Sequence, residues 1–296
     1  MQSRATTVVL TLLALLSFAA NSVLTRLALA GHTMDAATFT AVRLGAGALT
    51  LVALVRWRTA AWPELRGRGL RGPIALFGYA APFSFAYLRI GAAVGALVLF
   101  GSVQLTMISW GVARGERPTA RTWVGLGLAA SGLVWLMLPS AARPDPLGTL
   151  MMVVAGVSWG VYSLAGKRAA DPIAANARNF VLALPLGLAL ALLTAAGGDV
   201  HTSPRGLLLA TLAGSLTSGL GYAIWYRALR GLAATQAAIV QLSVPVIAGV
   251  GAVVLMGEAA NPRLLIGAIA VLGGTALALT AGQNGAKARP SATVRP

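Results

Sequence analysis

The chain has 296 residues, of which 57% are hydrophobic and 10% are charged, and its mean hydropathy is +0.78. A soluble globular domain carries about 25% charged residues, so this composition excludes a soluble protein and indicates a polytopic membrane protein. The net charge of +16 does not indicate nucleic-acid binding, because the Lys and Arg residues are spread between apolar runs and form no single water-facing patch in the sequence.

Ten apolar runs follow one another along the chain. Each is about 20 residues long, the length at which a helix crosses about 30 Å of hydrocarbon. Backbone groups in lipid must all be hydrogen-bonded, and the runs lack the alternation of a membrane barrel, so we predict an all-α fold. The predicted spans are 6–30, 36–55, 72–88, 91–113, 121–138, 147–167, 177–196, 206–227, 231–255 and 263–281.

The basic residues between the spans predict the orientation of the chain. Ten spans place both termini on one side, and Lys and Arg concentrate on the cytoplasmic side of membrane proteins. Most of them lie on the side of the termini, whereas Arg89, Arg143, Arg205 and Arg263 lie on the other. We therefore predict cytoplasmic termini in a bacterial-type inner (cell) membrane. The lipid bilayer is the expected partner, and the protein is expected to be a monomer.

The two halves of the sequence repeat each other. Residues 17–22 read Ser-Phe-Ala-Ala-Asn-Ser and precede Arg26, whereas residues 158–163 read Ser-Trp-Gly-Val-Tyr-Ser and precede Lys167. Residue size, aromaticity and charge agree position by position. Further pairs at a shift of 141 or 142 residues are Leu88-Arg89 with Leu229-Arg230, Gly115-Glu116 with Gly257-Glu258, Gly125 with Gly267, and Gly132 with Gly274.

Each half contains five predicted spans, so the second copy must enter the membrane from the opposite face. Such an inverted repeat is typical of carriers, in which the halves expose a central site alternately to each side. We therefore predict a first five-helix repeat over residues 1–140 and a second, inverted five-helix repeat over residues 141–282. Residues 283–296 form a basic C-terminal tail.

These duplicated motifs resemble a known family. Two halves of five spans, a small-aromatic-small stretch followed by Arg or Lys, and Gly-Glu followed by spaced glycines are similar to the EamA-type members of the drug/metabolite transporter superfamily. The chain is most similar to the bacterial aromatic amino acid exporters among them. The resemblance covers about residues 6–281. It implies a ten-helix exporter of small metabolites, with a cavity lined by helices one, three, four, six, eight and nine.

Polar and aromatic side chains within the spans are the candidate substrate ligands. A ring beside polar groups on one helix face suits a ligand with an apolar body and polar ends. The alternative is packing between helices, in which Trp and small hydroxyls also take part. The candidates are Phe18, Asn21, Tyr79, Phe83, Gln104, Trp159, Tyr162, Ser163, Tyr222 and Gln241.

Two prolines inside the spans are candidate hinges. Pro82 and Pro245 lack an amide hydrogen, so each leaves the carbonyl four residues earlier without its helical donor, at Gly78 and Gln241 respectively. Interrupted helices mark binding sites in transporters. The alternative is a kink in which neighbouring Ser or Thr side chains satisfy the carbonyl.

The sequence offers two interpretations of Arg43 and one of Trp225. Arg43 lies about two turns inside the second span. The favoured interpretation is that its side chain snorkels to the outer face or bonds helix-end carbonyls. The alternative is that it pairs with a substrate carboxylate. Trp225 lies near the end of the eighth span, where tryptophan is typical of the membrane interface.

The distribution of ionisable residues limits the function. All acidic residues map to loops or helix ends, so the buried carboxylate of a proton-coupled exporter of cationic drugs is absent and a neutral or zwitterionic substrate is favoured. His32 and His201 fall in loops, and we predict no catalytic residue, metal or cofactor. We expect a carrier that exports aromatic or other neutral amino acids and related small metabolites. An exporter of other neutral metabolites or drugs, and a channel, are the alternatives.

Overall fold

The computed structural model describes residues 2–29, 31–65, 69–90, 92–137, 145–256 and 262–287. Within these ranges the regular elements are helices, and Met34 and Thr202 form an isolated bridge pair. The predicted all-α polytopic membrane fold is confirmed. The helical segments are α1 (Arg4–Leu29), α2 (Ala36–Thr59), α3 (Arg71–Ala86), α4 (Ala92–Ala113), α5 (Ala120–Met137), α6 (Pro146–Gly166), α7 (Pro172–Ala196), α8 (Pro204–Gly231), α9 (234–256) and α10 (Pro262–Lys287).

Nine of the helices in the described part of the chain are long and apolar enough to cross a membrane. The remaining one, α3, has 16 residues. At about 1.5 Å per residue it extends about 24 Å, which is less than the usual hydrocarbon thickness of about 30 Å. The third predicted span is therefore shorter as a helix than the other nine.

Side-chain caps determine where several helices begin. Asp35, Asp145 and Ser203 each accept a hydrogen bond from the amide three residues later, which satisfies a free donor of the first turn. Asp171 accepts from the Ile173 amide at 2.9 Å. A proline follows each cap of α6, α7 and α8, where its fixed φ suits the first helical position. The Asp171 cap explains why α7 begins at Pro172 and not at the predicted residue 177.

Two helices change their winding inside the membrane. In α8 the residues Ala213–Leu220 form a π-helix, and in α9 the residues Gln241–Ser243 form a 3₁₀ turn. The turn in α9 precedes Pro245, which cannot donate to the Gln241 carbonyl. That carbonyl instead accepts the amide of Val244. The carbonyl that we expected to be free therefore has a partner within the helix.

The helices pair in a pattern that supports the inverted repeat. Helix α2 packs on α7 as well as on α8, and α5 packs on α10; α2 and α7, like α5 and α10, are equivalent helices of the two halves. The contact between α3 and α6 has its counterpart in the contact between α8 and α1. The predicted boundary between the halves falls within residues 138–144, outside the described ranges, as do Gly257 and Glu258. The boundary stays a prediction.

Glycines allow α5 and α10 to touch through their backbones. A Cβ atom on Gly125 would lie 2.6 Å from the Gly274 carbonyl oxygen, and one on Gly274 would lie 2.5 Å from the Ala129 amide nitrogen. Larger residues would separate the two helices, as in other closely packed membrane pairs. The repeated glycines thus hold α5 and α10 together at the edge of the bundle, and the central space is left to the other helices.

Candidate functional site

A cavity lies at the centre of the bundle, between α1, α3, α4, α6, α8 and α9. The space within it that the centre of a water molecule can reach is about 30 Å³, far below the about 300–1,000 Å³ of a typical small-molecule site, so it is a narrow gap in this conformation. Six helices contribute to it, and these are the six that the family resemblance implied. The lining residues are Phe18, Asn21, Ser22, Tyr79, Phe83, Leu99, Phe100, Val103, Trp159, Tyr222, Gln241 and Val244.

Half of the residues that line the cavity are aromatic, and Trp159 lies among them. Its ring centroid is 4.7 Å from that of Tyr222, 4.9 Å from that of Tyr79 and 5.1 Å from that of Phe18. The Phe18 and Tyr222 rings meet it edge to face, the arrangement that the charge distribution of aromatic rings favours. Phe83 extends this wall from Tyr79, with centroids 5.2 Å apart.

Amide side chains supply the polar part of the wall. The indole nitrogen of Trp159 donates to the Gln241 side-chain oxygen at 2.6 Å, and the Gln241 amide group donates to the Ala237 carbonyl at 2.8 Å. These two bonds determine how Gln241 is oriented. On the other side, the Asn21 side-chain oxygen accepts from the Thr217 and Ser218 hydroxyls. Both amides are held in place by neighbours, so the cavity presents a preformed polar surface.

Arg43 lies directly behind the aromatic wall and is 1% exposed. Its guanidinium donates to the Ser218 hydroxyl at 2.8 Å and to the Tyr222 hydroxyl at 2.5 Å. The guanidinium carbon is 5.3 Å from the centroid of the Tyr79 ring. The favoured expectation for Arg43 was wrong, because the side chain neither reaches the membrane surface nor bonds helix-end carbonyls.

The other predicted ligands lie outside the lining of the cavity. Tyr162 donates to the Asn176 side-chain oxygen, and the Ser163 hydroxyl accepts from the Trp225 indole at 3.0 Å. Gln104 donates to the Ala238 carbonyl at 2.7 Å. All three side chains are buried. They form a second layer behind the cavity, and their role in binding stays a prediction.

Trp225 belongs to this second layer, and its predicted place at the membrane interface was wrong. Its side chain is fully buried, and its ring packs edge to face on Phe18 at 5.5 Å. The π-helical segment of α8 precedes it and changes the direction in which it points. Trp57 and Trp62 at the end of α2, by contrast, are 84% and 73% exposed, as expected of interfacial residues.

Polar contacts close the bundle on the side where α1 begins, which we call the terminus side. The Tyr226 hydroxyl donates to the Tyr162 carbonyl at 3.0 Å and accepts from the Asn179 amide group at 3.3 Å. Arg178, which is 7% exposed, donates to the carbonyls of Leu65 and Gly69. These bonds join α6, α7 and α8 to the α2–α3 segment below the cavity.

Glu116 joins the two halves on the same side. Its carboxylate accepts from the Ala234 amide at 2.6 Å, the Thr235 amide at 2.9 Å and the Thr235 hydroxyl at 2.7 Å, and it lies 3.9 Å from the Lys167 ammonium. Burial raises the pKa of Glu116, but the bonds from Thr235 and Ala234 and the charge of Lys167 outweigh it and lower the pKa overall. The carboxylate is therefore ionised at neutral pH and holds the start of α9.

Backbone contacts join the loops on the opposite side. The Asp35 amide donates to the His201 carbonyl at 3.0 Å, and the Ser203 amide donates to the Thr33 carbonyl at 2.8 Å. These bonds connect the α1–α2 loop of the first half to the α7–α8 loop of the second. The loops are held by their backbones, so the His201 contact in this structure does not depend on the imidazole.

Several lining residues were not among the predicted ligands. Leu99, Phe100 and Val103 belong to α4, whose apolar residues are not concentrated on one face. Their side chains resemble those that face lipid, so no sequence signal separates them. Ser22, the last residue of the repeated stretch 17–22, lines the cavity with Phe18 and Asn21. The structure therefore extends the candidate site mainly by apolar residues, which would contact the apolar part of a ligand.

Known proteins share both the sequence pattern and the fold. Residues 5–138 and 146–280 each match the model of the EamA-like transporter family. A Pseudomonas aeruginosa protein described as uncharacterized is 48% identical over 273 residues, which are 92% of this chain and 94% of that protein. The threonine/homoserine exporter RhtA of Escherichia coli (strain K12) is 30% identical over 246 residues, 78% of each chain.

A crystal structure with 22% sequence identity superimposes with a TM-score of 0.78 and covers 94% of this chain and 99% of its own. At that identity the likeness concerns the fold alone. It extends over both halves of the bundle, so the arrangement of helices around the cavity is shared over almost the whole chain.

Proposed function

Because this chain belongs to the EamA-like transporter family, we propose that it is a carrier that exports aromatic or other neutral amino acids and related small metabolites from the cytoplasm. The observation that carries this proposal is the central cavity. Seven of the ten predicted ligands, from both halves of the chain, line this one cavity. Transport, not catalysis, is the proposed activity.

The chemistry of the wall supports an amino acid as the substrate. Rings of Phe18, Tyr79, Phe83 and Trp159 offer apolar faces, which suit an aromatic or aliphatic side chain. Amide groups of Asn21 and Gln241 offer hydrogen bonds to polar ends. Among the described residues, those that line the cavity include no Asp or Glu, so a substrate with a net positive charge would find no opposite charge on them.

The relatives support the same class of substrate. RhtA is a threonine/homoserine exporter, and this chain shares 30% of its residues over most of both proteins. Threonine and homoserine are small zwitterions, whereas the cavity described above is rich in aromatic rings. We therefore extend the proposed substrates to aromatic amino acids, which the RhtA likeness alone would not suggest.

The closures on the two sides support alternating access. The Glu116 contacts join the halves on the terminus side, and the contact between Asp35 and His201 joins them on the other. We propose that these contacts break and form in turn as residues 1–140 rock against residues 141–282. Pro82 and Pro245 would act as hinges within α3 and α9. Both termini would lie in the cytoplasm, and the carrier would work as a monomer in the inner membrane.

Counterflow in liposomes tests this proposal. Purified protein is reconstituted, loaded with unlabelled amino acid, and tested for uptake of labelled Phe, Trp, Tyr, Thr and Met, with a lipophilic cation as the comparison. We expect saturable uptake of amino acids and none of the cation. Uptake of the cation alone would contradict the substrate class, and unsaturable flux at channel rates would contradict a carrier.

A matched pair of tryptophan variants tests the site itself. Trp159→Ala removes a ring from the cavity wall, whereas Trp123→Ala removes a ring of α5 that is 49% exposed and away from the cavity. We expect counterflow to fall by about tenfold or more for Trp159→Ala, because the substrate loses contact area and Gln241 loses its donor. Trp123→Ala should transport normally. Equal activity of the two variants would place Trp159 in a packing role.

A further inference from the structure

Arg43 carries a positive charge into the middle of the bundle. It lies within α2, is 1% exposed, and contacts α8 across the interior. A charged side chain at membrane depth is costly and usually pairs with an opposite charge or serves a function. The partners of Arg43 therefore indicate whether an opposite charge or a functional role explains its position.

The hydrogen-bond partners of Arg43 in the described part of the chain are neutral. They are the hydroxyls of Ser218 and Tyr222, and the nitrogen Nη1 has no partner although it is buried. The ion pairs that the structure shows involve Arg58, Arg89 and Lys167, all at helix ends. The charge of Arg43 is thus solvated by hydroxyls but not neutralised by any of these contacts.

The position of this charge relative to the cavity is specific. Tyr79 and Tyr222 both line the cavity, and Arg43 contacts both from behind, one through its ring and one through its hydroxyl. An arginine can only donate, so the Tyr222 oxygen accepts the bond from Arg43. The hydroxyl hydrogen of Tyr222 is then directed away from the guanidinium. Hydrogen bonds in a chain strengthen one another, so Tyr222 becomes a stronger donor.

The repeat does not supply a second such charge. Counted from the caps Asp35 and Asp171, the residue of α7 equivalent to Arg43 is Asn179. At the shifts of 141 and 142 it is Leu184 or Pro185, and all three are uncharged. The two halves therefore differ in charge next to the cavity, and the field of Arg43 acts from one side only. An anionic group in the cavity would be attracted toward Tyr79 and Tyr222, and a positively charged group would be repelled from them.

We propose that Arg43 recognises the carboxylate of the transported amino acid, with the Tyr222 hydroxyl as the direct donor. This inference rests on the proposed function and specifies which part of the substrate the site requires. The carboxylate binds beside Tyr222 and Tyr79, and the apolar part of the substrate lies against Phe100 and the other apolar residues of α4. Substrates whose carboxylate is blocked bind poorly. Arg43 is a specificity-determining residue that acts mainly through Tyr222.

Binding measurements on the purified full chain test the proposal with three matched probes. These are L-phenylalanine, its amide, which lacks the carboxylate, and 3-phenylpropionate, which lacks the amino group. Tryptophan fluorescence reports binding. A site that hydrogen-bonds one group rejects an analogue that lacks it, so we expect the wild type to bind both carboxylates at least about tenfold more tightly than the amide.

Arg43→Gln should remove most of this preference. We expect affinity for both carboxylates to fall by about tenfold or more, because the positive charge that attracts a carboxylate is gone. Affinity for the amide should be unchanged or improved, because the same charge repels its ammonium group. Tyr222→Phe keeps the ring and removes the hydroxyl, so it should shift the preference in the same direction. If Arg43→Gln fails to fold, the binding preference of Tyr222→Phe tests the proposal in its place.

Arg178→Gln is the control for loss of a buried arginine. Arg178 is 7% exposed and bonds backbone carbonyls on the terminus side, away from the cavity. It should keep the wild-type preference. An equal loss of affinity for all three probes in Arg43→Gln and Tyr222→Phe would overturn the proposal. Equal affinity of the wild type for phenylalanine and its amide would also overturn it. If the wild type bound and transported no amino acid, the proposed function itself would fail.

Discussion

Replacing Glu116 by alanine is expected to loosen the closure on the terminus side. The Glu116 carboxylate holds the first turn of α9 through three hydrogen bonds, two from the amides of Ala234 and Thr235 and one from the Thr235 hydroxyl. Glu116 follows α4 of the first predicted half, whereas α9 belongs to the second. The bonds therefore tie one half to the other, and alanine removes all of them.

The hydrogen bonds determine the size of the expected effect. Loss of a hydrogen bond to a charged group costs about 1.5–3 kcal/mol. The Glu116 side chain is 25% exposed, so water replaces part of what is lost. We therefore take the free energy of all three bonds as about 3 kcal/mol. Each 1.4 kcal/mol is about a tenfold change in an equilibrium constant, so the open form should become about 100-fold more populated.

Cysteine labelling measures this opening directly. The chain contains no cysteine, so a single introduced thiol gives an unambiguous signal. Ala238 is fully buried and lies on α9 between Thr235, which Glu116 holds, and Gln241, which lines the cavity. In Ala238→Cys, the rate of maleimide labelling reports how often the terminus side opens. Adding Glu116→Ala should raise that rate by about 100-fold if opening limits the reaction.

The matched control is Glu64→Ala, which removes an exposed carboxylate from the α2–α3 segment and should leave the labelling rate unchanged. Equal rates with and without Glu116→Ala would refute the reasoning, because the carboxylate would then contribute nothing to the closure. Faster labelling in both glutamate variants would point to a general effect of charge and would also contradict it.

Three further predictions concern Glu116, Gly274 and Gln241. Acidification should raise Ala238→Cys labelling relative to that of an exposed cysteine at the same pH, because the pKa of Glu116 is lowered, so its contribution is present at neutral pH and is lost as the pH falls through that lowered pKa. The exposed cysteine corrects for the loss of reactive thiolate in acid. In Glu116→Gln this ratio of rates should not change with pH. Gly274→Leu should lower the melting temperature, measured by fluorescence-detected chromatography, and leave substrate preference unchanged, since it separates α5 from α10. Gln241→Leu should weaken phenylalanine binding and destabilise the protein by about 1–3 kcal/mol, because the Trp159 indole loses its acceptor; unchanged binding would contradict a role for Gln241.

The sequence predicted the helices and much of the cavity because the residues that form them differ clearly in polarity from their neighbours in the chain. Ten apolar runs stand out between charged segments, and polar or aromatic residues such as Asn21 and Trp159 stand out within those runs. Seven such residues line the cavity. Leu99 and Val103 line it as well, but they have the same chemistry as residues that face lipid. The sequence pattern could not separate a wall of the cavity from an outer surface.

Buried polar networks were the harder part to predict. Arg178 falls at the edge of the predicted span 177–196, yet it is buried within α7 and is solvated by two backbone carbonyls. Arg43 was expected to reach the membrane surface, yet Ser218 and Tyr222 solvate it in the interior. In both cases the partners come from distant parts of the chain. Helical periodicity carries no information about such contacts.

The number of residues in the π-helical segment Ala213–Leu220 determines the direction in which the later side chains of α8 point. A π-helical turn holds one residue more than an α-helical turn, so the residues after it are rotated by about 100° around the helix axis. Tyr222 and Trp225 follow the segment, and both rings are buried in the bundle. Loss of a single residue there would turn them toward lipid without changing either side chain. The one additional residue in this π-helical segment, and not the identity of either ring, is then what turns the aromatic face of α8 inward.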